Sequence, residues 1–134
     1  MPIKVYDLNA IKAEKILGGP IKPVLANGKR GTKSTLVAFG VFKPGDGLYP
    51  HFHPKSEEVY YVVQGQGTVF IGRDKKPVPI RAGQVLYVPS KTRHGITNSG
   101  DEELVVAFIM APGVKSPGYE ISKDTKVTEE RVLS

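Results

Sequence analysis

The stretch Gly45-Asp46-Gly47-Leu48-Tyr49-Pro50-His51-Phe52-His53-Pro54-Lys55-Ser56-Glu57-Glu58-Val59-Tyr60-Tyr61-Val62-Val63-Gln64-Gly65 decides how the rest of the chain is read. His51 and His53 stand two apart, so on an extended chain both imidazoles leave the same face. A carboxylate, Glu57 or Glu58, leads the following run, whose β-branched and aromatic residues read as a strand over 58–64. Paired imidazoles plus a carboxylate on one face are the donors that a divalent ion of the zinc, iron, nickel or manganese type takes. The chain has 3 histidines, and the third, His94, lies in a second ordered stretch. Parity along the strand does not choose between Glu57 and Glu58, because Pro54-Lys55-Ser56 forms a turn that resets the face.

Outward from this stretch the chain keeps a strand-and-turn rhythm. Residues 35–43 read as a strand that is apolar on both faces, as strands sandwiched between two layers are. Pro44-Gly45-Asp46-Gly47 breaks it. Gln64-Gly65-Gln66-Gly67 is a hairpin turn feeding a strand over 68–72. Further short strands fall at 78–81, 84–89, 95–98 and 104–110, set apart by Ala82-Gly83, Pro89-Ser90-Lys91 and Ser99-Gly100-Asp101. Toward the N-terminus, 7–15 reads as a short helix capped by Asp7 or Asn9 and ended by Gly18-Gly19-Pro20. Residues 21–25 read as an edge strand, since Pro23 interrupts them, and Asn27-Gly28 opens a basic loop through Lys33. After Pro112 the chain turns polar and rich in Gly and Pro, a tail lying over the surface with a final helical turn near 128–132. Short, regularly spaced strands with almost no helix argue for an all-β sandwich or barrel. The reading is one domain: an N-terminal extension and edge strand over 1–34, a barrel over 35–112 and a tail over 113–134.

Composition narrows the function classes. At 134 residues, 40% hydrophobic and 24% charged, the chain belongs with ordinary globular domains. With 0 cysteines, disulfides, thiolate ligands and cysteine nucleophiles are excluded. The first ten residues carry no apolar signal core and no apolar run approaches a membrane span, which reads as a soluble, cytoplasmic protein. The net charge of +6 comes from scattered lysines and arginines, so it reads as a solvated surface and not as a nucleic-acid footprint. An anionic small molecule stays open as a partner.

Two motifs give the chain a family likeness. The first reads Gly45, five residues, His51, one residue, His53, four residues, Glu58, six residues, Gly65; the second reads Gly83, five residues, Pro89, Lys91 in place of a usual glycine, His94 and Asn98. Seventeen residues lie between them. In both the chain resembles the cupins, over about residues 35–112. The resemblance implies a jelly-roll β-barrel of two antiparallel sheets, usually a homodimer. It implies one divalent transition metal per chain (iron, manganese, nickel, copper or zinc) held by His51, His53, Glu58 and His94. Glu58 is preferred to Glu57 because the six-residue distance to Gly65 matches it, which leaves Glu57 solvated. Asn98, at the end of the motif, is expected to hydrogen-bond within the following turn.

Tyr60 shares the face of Glu58 and is the leading pocket residue, with Tyr87, Phe39, Phe108 and Met110 as further lining candidates. Arg93, beside His94, is the cation nearest the expected site in sequence and joins Tyr60 as a substrate-binding candidate. Three functions are compatible with this set. The leading one is a metal-dependent, dioxygenase-type oxidoreductase acting on a small bidentate organic molecule. A sugar or sugar-phosphate isomerase or epimerase would use the same metal but needs a base, for which Glu57 is the near candidate. The third is a non-catalytic small-ligand-binding module.

Overall fold

The computed structural model describes residues 3–26, 30, 32 and 34–113. Ten strands follow one another: β1 (Glu14–Ile16), β2 (Gly19–Leu25), β3 (Leu36–Phe42), β4 (Gly47–His51), β5 (Glu57–Gln64), β6 (Gln66–Ile71), β7 (Lys76–Arg81), β8 (Val85–Val88), β9 (His94–Thr97) and β10 (Leu104–Ala111). They form a six-stranded sheet in the order β1-β2-β3-β10-β5-β8 and a four-stranded sheet in the order β4-β9-β6-β7. The strand pairings are antiparallel. The fold is therefore the all-β, two-sheet architecture that the spacing of the turns predicts.

Period-two patterning places the core between the sheets. In β3 the buried positions alternate, with Leu36, Ala38 and Phe42 turned inward. From β10 come Leu104, Val106, Phe108 and Met110, and from β5 Tyr60 and Val62. Leu48, Val69 and Ile96 answer from the smaller sheet, and all belong to one hydrophobic cluster. Each large side chain so buried stabilises the fold by about 1.5–3 kcal/mol. Phe42 and Phe108 meet edge to face with centroids 6.3 Å apart, an arrangement aromatic quadrupoles favour.

The segment expected to be helical over 7–15 is a correction. Only Leu8–Ala10 makes a helical turn, of the 3-10 type, with the Asp7 carboxylate accepting from the Asn9 backbone N–H at 2.9 Å. Ile11 already has extended dihedrals, and the chain then runs into β1, which pairs Glu14 with Ile21 and Ile16 with Gly19 on the edge of β2. The cap is there, but Ile11 is the only residue of the segment that is buried. So short a helix, with no apolar face to pack, does not hold itself together. Pro23 lies beyond the part of β2 that β1 covers, where a missing N–H does least harm.

A strand absent from the sequence reading, β4, runs through the expected break and delivers the first histidine. It pairs with β9 through Gly47↔Thr97, Leu48↔Ile96 and His51↔His94. Gly47 and Pro50 hide it from propensity, yet Gly47 is what lets it pair so closely: a Cβ there would stand 2.2 Å from the Ile96 carbonyl oxygen. The basic loop, apart from Arg30 and Thr32, and the tail beyond Gly113, with its helical turn near 128–132, lie outside the described residues. Among the described residues no helix is long and apolar enough to cross a membrane.

At one mouth of the two-sheet fold β3, β5 and β9 begin, and β4, β6, β8 and β10 end, so their terminal residues come into register. In the larger sheet the row is Leu36–Met110–Glu58–Val88; in the smaller it is His51–His94–Ile71.

Candidate metal centre

His51 closes β4 and His94 opens β9 directly across the ladder from it. His53 follows two residues later and is held by its own carbonyl, which accepts from the Lys91 N–H at 2.8 Å. That bond ties the loop carrying one histidine pair to the turn before the other histidine. Lys91 itself sits at φ 63, the left-handed region that the glycine expected there would occupy without cost. Glu58 is the second residue of β5. The turn ahead of it is pinned by buried Ser56, whose hydroxyl donates to the Pro112 carbonyl at 2.6 Å. With the turn fixed, the parity left open by the sequence is settled: Glu58 is buried and Glu57 exposed. Glu57 accepts a short hydrogen bond from Tyr87 on the outer face.

The four side chains His51, His53, Glu58 and His94 bring one donor atom each to within 4.8 Å of one another. Their exposures are 2%, 3%, 5% and 1%, so water does not screen them. His51 Nδ1 lies 2.6 Å from the Tyr49 carbonyl, and His94 Nδ1 lies 2.8 Å from that of Thr92. A carbonyl oxygen only accepts, so both Nδ1 atoms carry the hydrogen and both Nε2 atoms are left with lone pairs when the rings are neutral. His94 Nε2 stands 3.0 Å from Glu58 Oε1 and His53 Nε2 3.5 Å from the same oxygen.

Burial pushes the His51 imidazolium well below its ordinary range, and the neighbouring His94 and His53 push it further, so the ring is neutral near pH 7. Burial alone would raise Glu58, but in the metal-free chain the hydrogen bonds that His53 and His94 donate when the facing nitrogen carries a proton, and the charge of the protonated rings, overcome it and hold the carboxyl at about 2. The result is a buried carboxylate facing the Nε2 atoms of His53 and His94, with the His51 and His94 rings oriented from behind by backbone carbonyls. Such a donor set fits a divalent transition ion: a cation among these atoms satisfies at once the carboxylate and the lone pairs that face it.

Tyr60 lies on the same inward face as Glu58. Its ring centroid is 6.0 Å from that of His94 and 4.6 Å from that of Phe108. Its hydroxyl is buried with no hydrogen-bond partner. Burial, then the Glu58 charge, raise its pKa well above 10, so it is a phenol with a proton to donate. Arg93 is half-buried, with Nη1 enclosed and unpartnered. Among the described residues no hydrogen bond or ion pair joins it to the four donors.

Of the lining candidates, Phe108 and Met110 are inward and buried, whereas Tyr87 is exposed and Phe39 sits at an outward position of β3. Both are corrections. Tyr87 alternates with inward Val88, and Phe39 with inward Ala38. Asn98 takes the structural part expected of it: Nδ2 donates to the carbonyls of Phe42 and Glu102, and Oδ1 accepts from the Gly100 N–H. The Tyr49 and Thr92 carbonyls that orient the histidines carry no sequence signal, because any residue supplies a carbonyl.

The fold and these four residues place the chain in a class, and comparison agrees: the chain belongs to the cupin domain family, whose model matches residues 38–110. It is 33% identical over 114 residues to the polyketide synthase CurC of Streptomyces cyaneus, covering 85% of this chain and 73% of that one. It is 34% identical over 127 residues to protein SchB of Streptomyces halstedii, covering 95% and 90%. Among solved structures it resembles a predicted oxalate decarboxylase from Thermotoga maritima, with a TM-score of 0.71, 26% identity, and coverage of 81% of this chain and 99% of that one.

Proposed function

We propose that this chain is a metal-dependent enzyme that binds a small organic molecule through two oxygen donors. His51, His53, Glu58 and His94 hold one divalent transition ion, iron, manganese, nickel, copper or zinc. The observation that carries this reading is the cluster of four buried donors, with the Glu58 carboxylate beside the His53 and His94 Nε2 atoms and the Nδ1 atoms of His51 and His94 occupied by backbone carbonyls. A bound ion supplies Lewis-acid polarisation of the chelated oxygens, and iron or copper adds dioxygen chemistry, the oxygenase form of this proposal. Tyr60 donates its unshared proton to a substrate oxygen, and Arg93 offers a cation at the mouth. The relatives are consistent with such a ligand, since polyketide chains carry 1,3-dicarbonyl units and oxalate is a 1,2-dicarboxylate.

The test is titration of protein loaded with iron(II), under dinitrogen and then in air, with pentane-2,4-dione. The account predicts a new absorption band saturating at one equivalent, absent from the metal-free protein, followed by dioxygen uptake. No band with a fully loaded protein would contradict the chelating role. A band without turnover of the dione would leave a binding module.

We also propose that two copies associate. Tyr61, Val63, Val85, Tyr87 and Ile109 are exposed on the outer face of adjacent β10, β5 and β8. The alternating outward positions of these strands carry neither lysine nor arginine. Two molecules of net charge +6 meet there without opposing cations.

A further inference from the structure

Two residues, Leu17 and Gly18, close β1 onto β2, and both have positive φ, 51 and 85. A two-residue hairpin turn favours such a backbone, with asparagine, aspartate or glycine as the usual first residue. Leucine enters that region only under strain, which persists where the surroundings hold it. Two contacts do so here. The Leu17 side chain packs against the core, and its carbonyl accepts from the Tyr49 N–H at 2.8 Å. The second contact joins the hairpin of the larger sheet to β4 of the smaller one. Gly18 makes room for it: a Cβ there would stand 2.5 Å from Tyr49 Cε1 and 2.6 Å from Cζ, so the tyrosine ring lies against the bare glycine.

On the other side of this contact β4 is irregular. Its pairing with β9 passes from Leu48↔Ile96 to His51↔His94, three residues along β4 (48 to 51) against two along β9 (96 to 94). One residue of β4 is therefore extra, a bulge at Tyr49–Pro50. Pro50 has no N–H, and the Tyr49 N–H is taken by Leu17. The Tyr49 carbonyl lies 2.6 Å from His51 Nδ1. The bulged residue thus rests on the hairpin turn through its N–H and on the first candidate ligand through its carbonyl. Leu17 and Gly18 precede the family match, which starts at residue 38, so this support comes from the N-terminal part of the chain.

Resting on the metal centre proposed above, we propose that the Leu17–Gly18 turn is a positioning element for His51. The turn fixes the bulged Tyr49 peptide. The Tyr49 carbonyl in turn keeps the proton of the neutral imidazole on Nδ1 and leaves the Nε2 lone pair to the ion. When the turn is displaced, the carbonyl moves and the proton passes in part to Nε2, where it competes with the metal.

The test compares Gly18→Ala with Gly83→Ala. Gly83 has φ 88 and nothing within 4 Å of the place a Cβ would take. Both variants therefore bear similar backbone strain, and only the first presses on Tyr49. Nitrogen NMR of the metal-free protein near neutral pH should show the Nδ1–H tautomer of His51 in the wild type and in Gly83→Ala. Gly18→Ala should show a mixture of tautomers. Its zinc affinity, measured against a competing chelator, should fall about tenfold or more relative to Gly83→Ala. Should Gly18→Ala fail to fold, both readings are taken on protein whose Tyr49 backbone N–H is replaced by an ester oxygen. That change removes the donor to Leu17 and keeps every side chain, and the same tautomer mixture and loss of affinity are expected. An unchanged tautomer or zinc affinity in Gly18→Ala, or in the ester, overturns the proposal, and so does an equal change in Gly83→Ala. Because the tautomer is read without metal, a wild type that binds no zinc removes the metal centre, while the tautomers still decide the role of the turn.

Discussion

At the scale of single residues, the centre is a contest between burial and charge. His51 is held neutral by burial and by two neighbouring rings, and Glu58 is held ionised in spite of burial. Both shifts depress the folded-state pKa, so in both cases the unfolded chain binds the extra proton first and stability falls as pH falls. The windows differ. The His51 contribution is lost downward from its unfolded value near 6.5, and that of Glu58 downward from 4.5 to about 2. For the metal-free protein, the unfolding free energy measured in urea should decline below pH 6.5 with a slope approaching about 1.4 kcal/mol per unit for one proton. His51→Gln should flatten the stretch between 6.5 and 4.5 while keeping the loss below it. A wild-type stability that is level between pH 7 and 5 would contradict the burial account of His51.

At the scale of elements, what was legible in the sequence depended on whether side chains or backbone carried the signal. The strands 35–43, 58–64 and 104–110 announce themselves through β-branched and aromatic runs, and they are the heart of the larger sheet. That His51, His53, Glu58 and His94 come together was legible through the family resemblance, whose two motifs place glycine, proline and these four residues at fixed distances. β4 was not, because Gly47 and Pro50 are poor strand formers, and only tertiary pairing with β9 makes a strand of them. β1 was hidden for the opposite reason: a real cap at Asp7 promised a helix, and the edge of β2 offered residues 14–16 a better partner than solvent. Tyr87 and Phe39 show the limit of residue type as a guide to a pocket. Both are aromatic and lie on core strands, and a single step of the two-residue period turns them outward.

At the scale of the whole molecule, the two faces of the six-stranded sheet differ in what they cover. The inner face covers the core and the donors. The outer face, over β10, β5 and β8, exposes large apolar side chains that an isolated antiparallel sheet would replace with polar ones. Sedimentation equilibrium should therefore give twice the mass of the chain, and Val85→Lys together with Val63→Glu should return it to one chain with the metal content unchanged. A wild-type protein that sediments as a single chain at micromolar concentration would contradict the association.

The central claim is that the mouth of the fold holds one metal ion on His51, His53, Glu58 and His94. Elemental analysis of protein purified without chelator, or after reconstitution, tests it most directly when three chains are compared. About one divalent transition ion per chain is predicted for the wild type and for Glu57→Gln, whose carboxylate lies on the outer face beside Tyr87. His51→Ala should hold next to none. A wild type that takes up no metal, or a His51→Ala protein as fully loaded as the wild type, would contradict it.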